Sequence, residues 1–391
     1  MVNYILSKSP NGLFLIFERS VQFDFTIRQK KLINFRGIRM LGFSVYLGHD
    51  LTSENYNYLL TMRNSGFTCV FTQLAVPDTD SETILNRLAD LTNWCQKLDL
   101  KIIADVTADD LQDLGINVNS VEQIKSLSLT GLRVDHGFST DIIAKLSKEM
   151  PIVLNASIIT QQNIDDLRYS NANFEKLTAG HNFYPRPETG LDAHWMQKKN
   201  EWLKQYGLKT AAFISGNGKL RGPIFAGLPT LEKQRYENPL AAILELKDYD
   251  CDHIFVGDPQ LTRDAIESIT NYQKQGAITL HLDTDIPELF GNDWHNRPDV
   301  ARDVVRLKES RKKMFLSTEP QDNIYARPTG SVTIDNHLYP RYEGEIEITK
   351  RDLPCNEKVN VLAQVKDYDL PLLKYVDSDT QIIFRRATKG A

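Results

Sequence analysis

From residue 40 onward the chain alternates between two hydrophobic patterns. Short continuous apolar runs occupy 43–47, 67–74, 101–106, 131–135, 152–155, 174–178, 209–214 and 253–257, and each ends in polar residues. Between them lie segments whose apolar positions recur at helical spacing. In 82–97 these are Ile84, Leu85, Leu88, Leu91, Trp94 and Cys95, and 192–206 is a second example. Strand-then-helix repetition is the pattern of βαβ units around a parallel sheet. Eight such units in about 230 residues match the size of a (β/α)8 barrel. A doubly wound open sheet is the alternative, but no strand run leads into a G-x-G-x-x-G turn.

After residue 275 the period is lost. The runs 277–282, 331–334, 344–348, 359–364 and 381–386 are short and β-rich, with Gly, Pro, Asn and Asp in the turns. One helix is expected at 298–308, with Pro298 at its start and Arg302 and Arg306 on one face. The expected layout is therefore α/β: a barrel domain over 40–275, then a smaller, mostly antiparallel β domain over 276–391. Domains joined so tightly often share a ligand cleft. Residues 1–39 fit neither pattern. Their apolar patch, 13–17, runs straight into Glu18 and Arg19, which makes a poor signal peptide. Met40 is the expected true start and 1–39 a non-native or disordered extension. Mass spectrometry of the natural N-terminus decides this.

Composition narrows the partners. The 391 residues exceed one ordinary core, in keeping with two domains. A net charge of −5 argues against a nucleic-acid or polybasic membrane partner, so any anion site must be a local cluster of Arg and Lys. Cys69, Cys95, Cys251 and Cys355 stand far apart without zinc spacing, as expected of reduced thiols in a cytoplasmic protein. No run is long and apolar enough to span a bilayer. A homo-oligomer is compatible with all of this.

In a barrel the chemistry sits at the C-terminal ends of the strands. Those ends supply Tyr46, His49 and Asp50; Thr72 and Gln73; Asp105 and Thr107; Arg133, Asp135 and His136; Asn155 and Ser157; His181, Asn182 and Tyr184; Ser215 and Asn217; and Asp258. Asp105 and Asp135, at neighbouring strand ends, suit general acid–base work. Either could instead be a structural acceptor. The acids and histidines lack the spacing of a metal site. The loop 181–191, HNFYPRPETGL, holds Arg186 between two prolines and is stiff. Arg186 is a candidate anion clamp, whereas Glu188, nearer the helix start, reads as a rim residue. The loop 215–223, SGNGKLRGP, combines glycines with Lys219 and Arg221 where barrels often bind phosphate. In 227–235, GLPTLEKQR, Thr230 reads as a helix N-cap, with Glu232 and Arg235 pairing. In the second domain, Arg341 between Pro340 and Tyr342 is placed to reach a bound acid.

Together HNFYPRPETGL, RGPIFAGLPTLEKQR, GLRVDHGFS and GSVTIDNHLYPRYEGE resemble the MupG family of bacterial 6-phospho-N-acetylmuramidases, from about Met40 to the C-terminus. The resemblance implies a TIM-type barrel followed by a cyclophilin-like β domain. It implies a cytoplasmic exo-acting glycosidase of cell-wall recycling that splits the phosphorylated amino-sugar disaccharide MurNAc-6-phosphate–GlcNAc. No metal or nucleotide cofactor is implied. The substrate carries a phosphate and a lactyl carboxylate, which Lys219 and Arg221, and Arg186 or Arg341, would hold. Tyr46 and Tyr184 would stack on sugar faces, and His181 and Asp258 complete the expected binding set. Asp105 and Asp135 would act as a carboxylate pair, or one acid would work with the substrate's own acetamido oxygen, assisted by Asn155 and Asn182. The alternatives are a phosphosugar sensor without turnover, or a barrel lyase or isomerase. Against a Schiff-base aldolase, Lys176 and Lys209 stand at strand starts.

Overall fold

The computed structural model describes residues 38–313 and 316–387. The expected extension lies almost wholly outside them. Eight parallel strands, β1 (Met40–Ser44), β2 (Cys69–Gln73), β3 (Lys101–Val106), β4 (Gly131–Val134), β5 (Ile152–Asn155), β6 (Leu177–Gly180), β7 (Lys209–Ile214) and β8 (His253–Val256), form a closed barrel in sequence order. It closes where β8 pairs β1, with Met40 opposite His253. Helices follow the strands, among them Ser53–Asn64, Ser81–Lys97, Thr140–Glu149, Ala193–Gln205 and Arg263–Gln275.

Local chemistry sets where these helices begin. Asp80, Thr107, Ser120, Ser139, Thr160, Asp192, Asn238 and Thr262 each accept a hydrogen bond from an amide of the first turn. Such a cap is worth about 1 kcal/mol and fixes where a loop ends and a helix starts. The last barrel helix ends at Gly276 in the left-handed region, φ 71°, and the chain passes into the second domain.

That domain holds two small sheets. β9 (Ile278–Leu282), β10 (Trp294–His295) and β15 (Gln381–Arg386) pair in the order β10-β15-β9. β11 (Val304–Leu307), β12 (Ser331–Asp335), β13 (Ile346–Thr349) and β14 (Val359–Gln364) form an antiparallel sheet in the order β11-β13-β12-β14. The helix expected at 298–308 is absent, because Val304–Leu307 pairs with Ile346–Thr349. Alternating Val305 and Leu307 are buried there, while Arg306 turns to Glu345 on the opposite face. A second correction falls on the expected strand 174–178. Phe174–Lys176 is a single 3-10 turn capped by Asn173, and the strand begins at Leu177.

The domains meet along the 3-10 segment Asp367–Tyr375. Buried Asp369 accepts from Asn238, the cap of helix Pro239–Asp248, and pairs with His281 on β9. His281 also reaches Asp264 of the last barrel helix.

Candidate active site

Side chains alternate along a strand, so every second barrel residue points inward. Met40, Cys69, Phe71, Ile103, Val153, Ala211, Phe213 and Phe255 form a core cluster separate from the layer under the helices. Its upper part is aromatic. Phe213 meets Phe71 at 5.0 Å, Phe183 at 5.2 Å and Phe255 at 5.5 Å between ring centroids. Such pairs add about 0.5–1.5 kcal/mol each beyond burial and hold their geometry. Gly42 makes room for them, since a Cβ there would collide with the Phe255 ring. The barrel is thus plugged below its C-terminal mouth.

A cleft of about 190 Å³ stands on this plug, lined by Phe71, Gln73, Asp105, Arg133, Asp135, Asn182, Phe183 and Phe213. Register sets its polar layer. Asp105 lies opposite Gln73 on one side and Arg133 on the other. Gln73 Nε2 donates to Asp105 Oδ2 at 2.9 Å, and Arg133 Nη1 donates to Asp105 Oδ1. Arg133 Nη2 donates to Asn182 Oδ1. The same Nη1 lies 3.8 Å from Asp135 Oδ2. Asn155 Nδ2 donates to Asp135 Oδ1 at 3.0 Å, and Asn155 Oδ1 accepts from the Ser157 amide. Exposure grades outward: the Arg133 side chain is 6% exposed, Asp105 17% and Asp135 33%. The arrangement offers one carboxylate clamped by a cation and a second, more open one held by an amide.

The rim continues this network. Arg221 Nη1 donates to Gln73 Oε1 at 2.5 Å, and its guanidinium sits 3.9 Å from the Tyr46 ring centroid. Tyr46 donates to the Gly257 carbonyl, and burial pushes its pKa up to about 12. One face of Tyr46 is therefore covered by Arg221 rather than free for a sugar. Lys219 is exposed on the same loop. Arg186 is also exposed, and its carbonyl accepts from Thr189 and Arg235. Tyr184 is half-buried, its amide bonded to Pro229.

None of the nine expected binding residues lines the cleft itself, and three of them have quite other surroundings. Asp258 is fully buried, and its carboxylate accepts from the Gly216, Arg221 and Leu228 amides. It holds the Lys219–Arg221 loop in place, and burial pushes its pKa up. His181 is fully buried against the helix Ala193–Gln205, with Nε2 2.8 Å from Asn200 Oδ1. Burial pushes its pKa down to about 4, so it is a neutral anchor for its loop. Arg341 is exposed in the turn between β12 and β13, outside the cleft lining.

The stiff 181–191 loop is stapled from behind. Glu232 accepts from the Glu188 and Gly190 amides and pairs with Arg235, which also donates to the Arg186 and Gly227 carbonyls. Arg235 and these amides hold the Glu232 carboxyl down at about 2. Thr230 is not a helix cap. Its hydroxyl accepts from Phe213 N and donates to Asn182 O, tying the loop to β7, and only a 3-10 turn, Glu232–Gln234, follows. Gln73 and Arg133 stand among the strand ends in sequence without an expected role. The signal for Arg133 is its place two residues before Asp135, on the same inward face. Among the described residues no group of three or more His, Cys, Asp or Glu is arranged to hold a metal ion. No helix among them is long and apolar enough to cross a membrane.

These features define a (β/α)8-barrel protein with a carboxylate-lined cleft at the strand C-termini and a small β domain appended. The chain belongs to the MupG family of 6-phospho-N-acetylmuramidases: the family's N-terminal domain matches residues 41–271 and its C-terminal domain residues 277–385. It is similar to a conserved protein of unknown function from Enterococcus faecalis, with 36% identity, TM-score 0.81, and coverage of 90% of this chain and 97% of the other. An uncharacterised B. cereus protein shares the fold at 24% identity, TM-score 0.67, covering 89% of this chain and 100% of its own. No curated protein matches this chain.

Proposed function

We propose that this cleft hydrolyses the glycosidic bond of MurNAc-6-phosphate–GlcNAc from the non-reducing end, as a cytoplasmic step of cell-wall recycling. Family membership supports the substrate. The observation that carries the chemistry is the pair Asp105 and Asp135, set beside one guanidinium above an apolar floor. Asp135, the more open of the two, donates the proton to the leaving oxygen. Asp105 faces the charge that develops at C1, and Arg133 and Gln73 hold it in one orientation. Phe183 and Phe213 give the sugar an apolar surface.

Arg221 and Lys219 take the phosphate. Arg221 is a ready clamp, because Tyr46, Gln73 and the Asp258-held loop already fix it. Arg186, on its stapled loop, is the candidate for the lactyl carboxylate. The test is incubation with MurNAc-6-phosphate–GlcNAc and mass-spectrometric detection of free GlcNAc. A sensor would bind the disaccharide and release none.

A further inference from the structure

The β domain lines no part of the cleft, yet two of its neighbouring residues grip the connection that serves it. β7 ends at Ile214 and the next barrel helix starts at Pro239. The residues between, 215–238, hold only the 3-10 turn Glu232–Gln234. Connections longer than about 12–15 residues without regular structure are uncommon in compact domains and usually functional. This one carries Lys219 and Arg221, the Thr230 tie to Asn182, and the Glu232–Arg235 staple behind Arg186.

From within the barrel, Asp258 gathers the Gly216, Arg221 and Leu228 amides of this connection. From the β domain, Tyr368 and Asp369 hold its two ends. Near the start, Asn217 Nδ2 donates to the Tyr368 hydroxyl oxygen at 2.9 Å. The Asn217 amide has one orientation, because its Oδ1 accepts from the Thr262 amide at 2.9 Å and from the Thr262 hydroxyl at 3.3 Å. At the far end, Asn238 Nδ2 donates to Asp369 Oδ1 at 2.9 Å, while Asn238 Oδ1 caps the helix Pro239–Asp248. Asp369 is 1% exposed and is held in turn by the amide and ring of His281. The route from the β domain to the cleft is short: Tyr368 to Asn217, along the loop to Arg221, then Gln73 and Asp105.

We propose that the β domain is a working part of the phosphate site, with Tyr368 as a positioning residue. It fixes the Asn217 end of the loop, so that the Arg221 guanidinium is already in place when the phosphate arrives. The inference rests on the reading of Arg221 as the phosphate clamp. Without the Tyr368 hydroxyl the loop gains freedom that binding must then remove, which weakens binding. Tyr368 reaches the phosphate only through Arg221, so its loss affects ground state and transition state alike and raises KM at constant kcat.

Isothermal calorimetry with MurNAc-6-phosphate, the product of the proposed reaction, tests this on wild type, Tyr368→Phe, Arg221→Met and the double variant. Tyr368→Phe removes one hydroxyl from a residue 39% exposed, so circular dichroism is expected to match wild type. Its Kd is expected to rise about three- to tenfold, the size of one hydrogen bond. KM for MurNAc-6-phosphate–GlcNAc should rise equally, with kcat within about twofold of wild type. In the Arg221→Met background the same substitution should change Kd by less than about 1.5-fold, because the group it positions is gone. An unchanged Kd in Tyr368→Phe, or an equal loss with and without Arg221, would overturn the inference and leave the glycosidase reading intact. Wild type that binds no MurNAc-6-phosphate would overturn the phosphate reading, and the inference with it.

Discussion

Arg133 on β4 and Asp105 on β3 are register partners across two parallel strands, and the arginine's guanidinium closes on the carboxylate at the barrel mouth. Both point inward because Asp105 lies two residues beyond Ile103, an inward position of β3, and Arg133 two residues beyond Gly131, the register partner of Ile103. Around this pair the cleft acquires its order: Gln73 on one side, Asn182 on the other, and Asp135 on the open edge.

Asp135→Asn is expected to lower kcat by on the order of 10³-fold, the usual effect of removing a general acid. Substrate affinity, measured by calorimetry with the intact disaccharide, should change little. Turnover at the wild-type rate would end the assignment of Asp135 as the acid.

Arg221→Met removes the clamp that Tyr46 and Gln73 hold in place. A lost charge-assisted contact should raise KM for the phosphorylated disaccharide by on the order of tenfold or more, with little effect on the unphosphorylated one. Equal losses on both substrates would place the phosphate elsewhere.

His281 ties the two domains together. Its hydrogen bonds to Asp264, then to Asp369, push its pKa up to about 10 from an ordinary 6.5. The folded protein therefore binds the extra proton between those values. The stabilisation is fully present below about 6.5 and is lost as pH rises through about 10. His281→Gln should lower Tm near neutral pH, and the gap to wild type should close towards pH 10. A gap that persists at high pH would contradict the charged clamp.

Asp335 gives the opposite sign. Burial, with Glu347 and Glu345 nearby, pushes its pKa up to about 7 from 3.8, against the weaker pull of Arg327 and Arg306. No cost exists where it is protonated both folded and unfolded. The cost accrues as pH rises from about 3.8 to about 7 and is complete above that. Asp335→Asn should raise Tm at pH 8 and leave it unchanged near pH 3.5. Destabilisation at pH 8 would show that the carboxylate has a favourable partner.

The barrel is legible in sequence because its strands are buried on both faces and so read as continuous apolar runs. β3, β5 and β7 coincide with 101–106, 152–155 and 209–214. Pairing over long range is not legible. Val304–Leu307 follows Pro298, and its Arg306 stands four residues after Arg302, so helix and strand templates both fit until β13 decides between them. The same limit governs the site. Strand-end position points to Asp105, Asp135 and Asn182, but it does not reveal direction. His181 turns outward to Asn200, and Asp258 turns to loop amides. Arg133 comes between the acids only once register is known.

The central claim is that the Asp105–Arg133–Asp135 cleft cleaves a phosphorylated muramyl disaccharide. Its most direct test compares initial rates of GlcNAc release from MurNAc-6-phosphate–GlcNAc by wild type, Asp105→Asn and Asp135→Asn, each checked for folding. Wild type should release GlcNAc and MurNAc-6-phosphate in equal amounts, and both variants should be slower by on the order of 10²-fold or more. No release by wild type, or undiminished release by both variants, would contradict it.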